Sequence, residues 1–151
     1  MKIYAALAAA LALYAFDAAA DATRATEAEA QAMVKKAIQH YDKVGRGKAM
    51  ADFSQAPGPF VDRDLYVVVD EMDGTVIAHI NPKILGKNMM DLRDPDGRPH
   101  IKERLDAAKK APSGWHEYKF FNPMTKKIEL KSAYWERVDD LVFACGAYKP
   151  I

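Results

Sequence analysis

Between Ser113 and Tyr148 the chain runs through three β-branched or aromatic segments, 113–121, 128–138 and 141–148, with only turn residues between them. This pattern predicts three consecutive antiparallel strands. Asn122-Pro123 starts the first turn, because proline has no N–H to give a central strand. Asp139-Asp140 leaves room only for a tight hairpin. Lys131 falls in the middle strand between apolar neighbours, and Trp115, Tyr118, Tyr134 and Trp135 lie on the same meander. A lysine inside a sheet is costly without a partner. Two readings stay open. One is a lysine on a solvated face, or one that snorkels its ammonium to water. The other is a cation that meets an anionic ligand in an aromatic-walled pocket.

The start of the chain has a different character. Lys2 precedes an apolar run over residues 3–16, followed by Asp17 and Ala18-Ala19-Ala20. A basic start, a short apolar run and a small-x-small site predict a secretory signal peptide, cleaved after Ala20. Residues 1–20 are thus expected to be removed, leaving 21–151 as one domain long enough for a core. The run is short for a membrane span, and no second one of spanning length follows. The mature protein is expected to be periplasmic or secreted, with no membrane span. Cys145 is the single cysteine, which excludes an internal disulfide, and its apolar strand predicts a buried thiol. A net charge of +1 gives no reason to expect nucleic acid or an anionic membrane surface as partner.

Before the meander, Thr26 and Glu29 have the spacing of a capping box, and Ala30, Met33, Val34, Ala37, Ile38 and Tyr41 recur at helical spacing. Gly45 ends that helix, and 47–54 reads as a short second one. Residues 65–69 and 75–80 read as a hairpin around Asp73-Gly74, with 70–74 as its turn. Residues 83–98 have no clear period and read as an ordered loop, a kind of segment that is often functional. Residues 99–110 form a helix with Ile101, Leu105 and Ala108 on one side. The expected fold is an α+β domain: five antiparallel strands, a long N-terminal helix, and a loop-helix insertion over one face. A small ligand would sit under the insertion.

The chain has no phosphate loop, dinucleotide glycine motif or nucleophile elbow, and His40, His79, His100 and His116 lack zinc-ligand spacing. Asp94, Asp96, Gly97 and Glu103 match part of a calcium loop, but Leu92 would hold its first position, and a plain turn explains them more simply. Asp64, Asp70, Glu71 and Asp73 read as strand-end and turn residues. Nothing in the pattern argues for catalysis, a cofactor or a metal.

An ordered set of residues then resembles a known family. It comprises Asp64-Leu65-Tyr66-Val67, Asp73-Gly74, Ala78-His79, Asn81-Pro82, Leu85-Gly86-Lys87-Asn88, Asp94, Asp96-Gly97, Gly114-Trp115, Tyr118, Asn122-Pro123, Lys131-Ser132-Ala133-Tyr134 and Cys145-Gly146-Ala147-Tyr148. The set resembles the single Cache domains of the second type, collinear from Phe60 to Tyr148. The resemblance implies a PAS-like antiparallel sheet and an extracytoplasmic sensor for small molecules, often short carboxylates such as acetate, propionate, pyruvate or lactate. It implies Lys131 and Tyr118 as first choices for the ligand carboxylate, His79 as a further donor, and Tyr66, Trp115 and Tyr134 as pocket walls. Strand alternation conflicts with part of this set. Lys131 and Tyr134, like Trp115 and Tyr118, lie an odd number apart and face opposite sides unless a bulge intervenes. With the chain ending at Ile151, the resemblance is to a free-standing form that signals through a membrane receptor or histidine kinase, or holds its ligand. The competing expectation is a protein-interaction module with a vestigial pocket.

Overall fold

The computed structural model describes residues 23–151; the signal-peptide expectation for residues 1–20 lies outside the described residues. Thr26 caps helix α1 (Glu27–Val44). Its hydroxyl accepts from the Glu29 N–H, and the Glu29 carboxylate accepts from the Thr26 N–H, so two donors at the helix start are satisfied reciprocally. Gly45, at φ 82°, ends the helix in a conformation that glycine adopts without steric cost. Ala30, Met33, Val34 and Ala37 are its buried residues, one stripe at helical spacing. Helix α2 (Arg46–Phe53) follows and buries Ala49, Met50 and Phe53.

Strands β1 (Val61–Asp62) and β2 (Leu65–Tyr66) form a small antiparallel ribbon. Strands β3 (Val68–Glu71), β4 (Val76–Ala78), β5 (Ser113–Asn122), β6 (Lys127–Val138) and β7 (Leu141–Lys149) form an antiparallel sheet in the order β4-β3-β7-β6-β5. Helix α3 (His100–Ala108) belongs to the segment between β4 and β5. The meander has the three strands its sequence predicts. Lys126 and Asp139, at φ 59° and 53°, make its two turns.

The register is unbroken along β5, β6 and β7, so strict alternation divides the side chains between two faces. Phe143, Cys145, Ala147, Tyr134 and Val69 pack with Val34, Ala37 and Phe53 from the two N-terminal helices. Trp135, Val142 and Ala144 pack with Ile101, Leu105 and Ala108 of α3 on the other face. Gly114 permits this second packing, because a Cβ there would stand 2.7 Å from the Trp135 ring. Cys145 is buried as expected, and burial pushes its thiol up to about 12.

The first hairpin departs from its sequence reading. What reads as one strand over 65–69 is divided between the ribbon and the main sheet. Asp70 and Glu71 belong to β3, paired with Val142 and Leu141, and the turn comes later. The returning strand is short because the loop claims β4 itself: the Val76 N–H donates to Lys87 O, the Gly86 N–H donates to Val76 O, and Thr75 bridges Asn88. That loop is ordered by local bonds. The Asp94 carboxylate accepts from the N–H groups of Asp96, Arg98 and Lys119, which pins the loop to β5.

Candidate functional site

Between the sheet and the segment over it lies a chamber whose wall is set by alternation. Tyr66, Val68 and Asp70 reach it from β2 and β3, Tyr118 and Phe120 from β5, and Lys131 from β6. His79 contributes from the end of β4, and His100 and Arg104 from α3. Its cavity volume is about 20 Å³, room for about one water. Tyr66, His79, Ile84, Leu92 and Phe120 also line an outer groove of about 470 Å³, whose other walls include Ile80, Met89 and Pro123. The arrangement is thus a polar inner end and a mainly apolar vestibule.

Lys131 dominates the inner end. It is 1% exposed, and among the described residues its ammonium has no hydrogen-bond or ion-pair partner. It lies 4.0 Å from the centre of the Tyr66 ring, 5.1 Å from Tyr148 and 5.7 Å from Phe120, contacts that compensate a buried cation only in part. Burial, with a smaller push from Arg104, lowers its pKa to about 7. Gly146 on the neighbouring strand makes the position possible. A Cβ there would fall 2.7 Å from both Cγ and Cε of Lys131, so the aliphatic stem lies where a side chain would otherwise be.

A second buried cation is neutralised. Arg104 bonds to Asp70, and both side chains are all but inaccessible. Arg104 Nε and Asp70 Oδ1 are left without partners among the described residues. Burial pushes the Asp70 carboxyl up against the opposing pull of Arg104. Burial works against the Arg104 charge too, and Asp70 together with Tyr118 more than offsets it.

The three histidines on this side of the sheet, His79, His100 and His116, are neutral. Burial, then Lys131 and Arg104, brings His79 down to about 3. Its Nδ1 accepts from the Asn81 N–H at 2.8 Å, which assigns the ring proton to Nε2 and leaves that nitrogen a donor. His100 stacks on Tyr118 with centroids 4.2 Å apart, and His116 stacks at 4.9 Å. Burial brings these two imidazoles to about 3 and about 2. Tyr66 OH and Tyr148 OH are 3.0 Å apart, and Tyr148 donates to Phe121 O at 2.9 Å, so the Tyr66 hydroxyl donates to Tyr148. Among the described residues no group of three His, Cys, Asp or Glu side chains could hold a metal ion.

Four of the six residues expected at a site, Lys131, Tyr118, His79 and Tyr66, line this chamber. Trp115 and Tyr134 do not. No bulge interrupts β5 or β6, so both fall on the opposite face, 5.2 Å apart ring to ring. Tyr134 packs in the cluster under α1, its hydroxyl bonds Glu136, and Trp115 is 43% exposed. The sequence reading missed Arg104, Asp70, His100 and Phe120. Helical spacing from Ile101 to Leu105 and Ala108 places Arg104 on the buried side of α3, and alternation from Tyr66 and Val68 places Asp70 on the chamber face. Those signals were present in the chain.

A long capped helix behind a five-stranded antiparallel sheet, with a ligand-sized hollow under an insertion on its other face, defines a PAS-like sensor-type domain. The family model for single Cache domain 2 matches residues 5–148, and the chain belongs to that family. Cache domains are extracytoplasmic sensing modules, and this chain carries one. It is 38% identical over 85 residues to the sensor histidine kinase MctS of Rhizobium johnstonii, a match that covers 56% of this chain and 18% of the kinase. Two solved structures share the fold, each with a TM-score of 0.70. One is a methyl-accepting chemotaxis protein from Vibrio parahaemolyticus, 23% identical, covering 86% of this chain and 90% of that one. The other is a Cache chemosensory domain that recognises carboxylic acid, 17% identical, covering 89% and 99%. Among the described residues no helix is long and apolar enough to cross a membrane.

Proposed function

We propose that the protein is a non-catalytic periplasmic or secreted module that binds a short-chain carboxylate, of the acetate, propionate, pyruvate or lactate type. The carboxylate is received by Lys131, with His79 Nε2–H and the Tyr118 hydroxyl as further donors and Tyr66 as wall. One observation carries this reading: a lysine only 1% exposed, whose ammonium has no hydrogen-bond or ion-pair partner among the described residues, at the inner end of an apolar groove. A small anion with a short apolar tail supplies the missing counter-charge and leaves its tail toward the groove. The likeness to a chemosensory domain that recognises carboxylic acid supports the ligand class. The likeness to part of a sensor kinase supports a signalling role, with the signal passed to a separate membrane receptor or histidine kinase, or the ligand simply held.

Thermal unfolding against the four acids tests the reading. At least one acid raises the melting temperature by mass action, and Lys131→Met abolishes that rise. No shift with any small organic acid overturns it. The inner chamber's volume of about 20 Å³ favours a second reading, an interaction module with a vestigial pocket. Capture of a periplasmic partner that depends on surface residues and is indifferent to Lys131→Met selects that one.

A further inference from the structure

The turn between β5 and β6 carries an exposed apolar cluster. Phe121 and Ile128 are register partners, 46% and 45% exposed, and Met124 in the turn between them is 53% exposed. Among the described residues the exposed large apolar side chains are these three, Trp115 some six residues back along β5, and the terminal Ile151. Lys126 in that turn and Lys127 at the start of β6 have no acidic partner among the described residues. The nearest acid in sequence, Glu129, is buried and spent: it takes the Arg24 guanidinium through both oxygens, at 2.7 and 2.9 Å, and Asn122 and Thr125 as well. The tip therefore presents three apolar side chains and two free cations, with no free carboxylate among its residues 121–129.

From this pattern of exposed apolar side chains and unpaired cations we infer that the β5–β6 tip is a docking surface for an anionic phospholipid membrane. Met124, Phe121 and Ile128 enter the headgroup layer, and Lys126 and Lys127 meet lipid phosphates. A second copy of the chain fits less well, since tip-to-tip contact would set four unpaired ammonium groups against one another. The net charge of +1 hides the feature because it averages over the whole chain, whereas a surface only as large as one turn decides the contact. Phe121 also lines the outer groove, whereas Met124, Lys126 and Lys127 line neither the chamber nor the groove, so these three separate the inference from the ligand reading.

Vesicle flotation of the full chain tests it, with phosphatidylcholine alone and with phosphatidylglycerol added. The protein floats with the anionic vesicles and much less with the neutral ones. Lys126→Glu with Lys127→Glu weakens binding at least about 30-fold, and added salt does the same. Met124→Asp weakens it without changing the response to acids or the melting temperature. Three outcomes overturn the inference. The chain fails to float, or the variants float as well as the parent, so that residues 1–22 alone hold it. Otherwise, sedimentation shows a concentration-dependent dimer that Met124→Asp dissolves, which assigns the tip to a second copy.

Discussion

The two faces of the five-stranded sheet share its strands and do opposite things. Under α1 and α2 the alternating side chains are aliphatic and aromatic, and Phe53 meets Phe60 and Phe143 edge-on at 4.6 and 6.1 Å. On the other side the sheet, the end of β4 and α3 together carry a lysine, an arginine, an aspartate and three histidines, most of them buried and several with unpartnered atoms. The first face gains stability from dispersion and area. The second gives stability away by taking charge out of water. What the contrast teaches is that one strand can hold both, since alternation lets Lys131 and Tyr134 share β6 without sharing an environment.

The sharpest way to break the contrast is to make the second face like the first. Lys131 has a folded pKa of about 7 against 10.5 for the free side chain. Between those values the unfolded chain binds more protons, so stability rises with pH across that window, and the full cost is present below pH 7. Lys131→Met removes the cost. It raises stability below pH 7 by up to about 5 kcal/mol and flattens the rise, read as the difference between parent and variant in urea titrations at several pH values. In the parent, a carboxylate that meets Lys131 above pH 7 makes the lysine take up a proton on binding, which calorimetry in buffers of different ionisation enthalpy detects.

Arg104→Met leaves Asp70 buried without its partner and costs about 3–5 kcal/mol. Adding Asp70→Leu recovers most of that loss. Phe53→Ala on the first face costs a similar amount, about 3–5 kcal/mol, leaves the response to acids unchanged, and has no such second-site recovery. Chemical denaturation of the four proteins separates the two kinds of loss. The smallest expected effect is that of Gly146→Ala, about 1–3 kcal/mol, because the new methyl collides with the Lys131 stem. In a double-mutant cycle with Lys131→Ala the cost largely disappears.

The first face and the meander were legible because their signals are local: turn residues at Asn122-Pro123 and Asp139-Asp140, β-branched runs, and a capping box at Thr26 and Glu29. The chamber was half legible. Strand parity alone separated Lys131 and Tyr118 from Trp115 and Tyr134, and family resemblance, which carries no parity, put all four together. Asp70 was misread because Asp73-Gly74 drew the turn boundary too early, although β3 continues to Glu71. Arg104 was missed because its neighbours Lys102, Glu103 and Asp106 make that side of α3 look solvated. The short β4 had no local signature at all, since Lys87 and Asn88 take its outer edge from a distant part of the chain.

Gly146 has one more consequence. The missing side chain leaves a bed along which the Lys131 stem lies, and this seats the ammonium at the inner end of the chamber. On the proposed reading, the depth at which that ammonium sits sets how much of a carboxylate's own length the slot can seat.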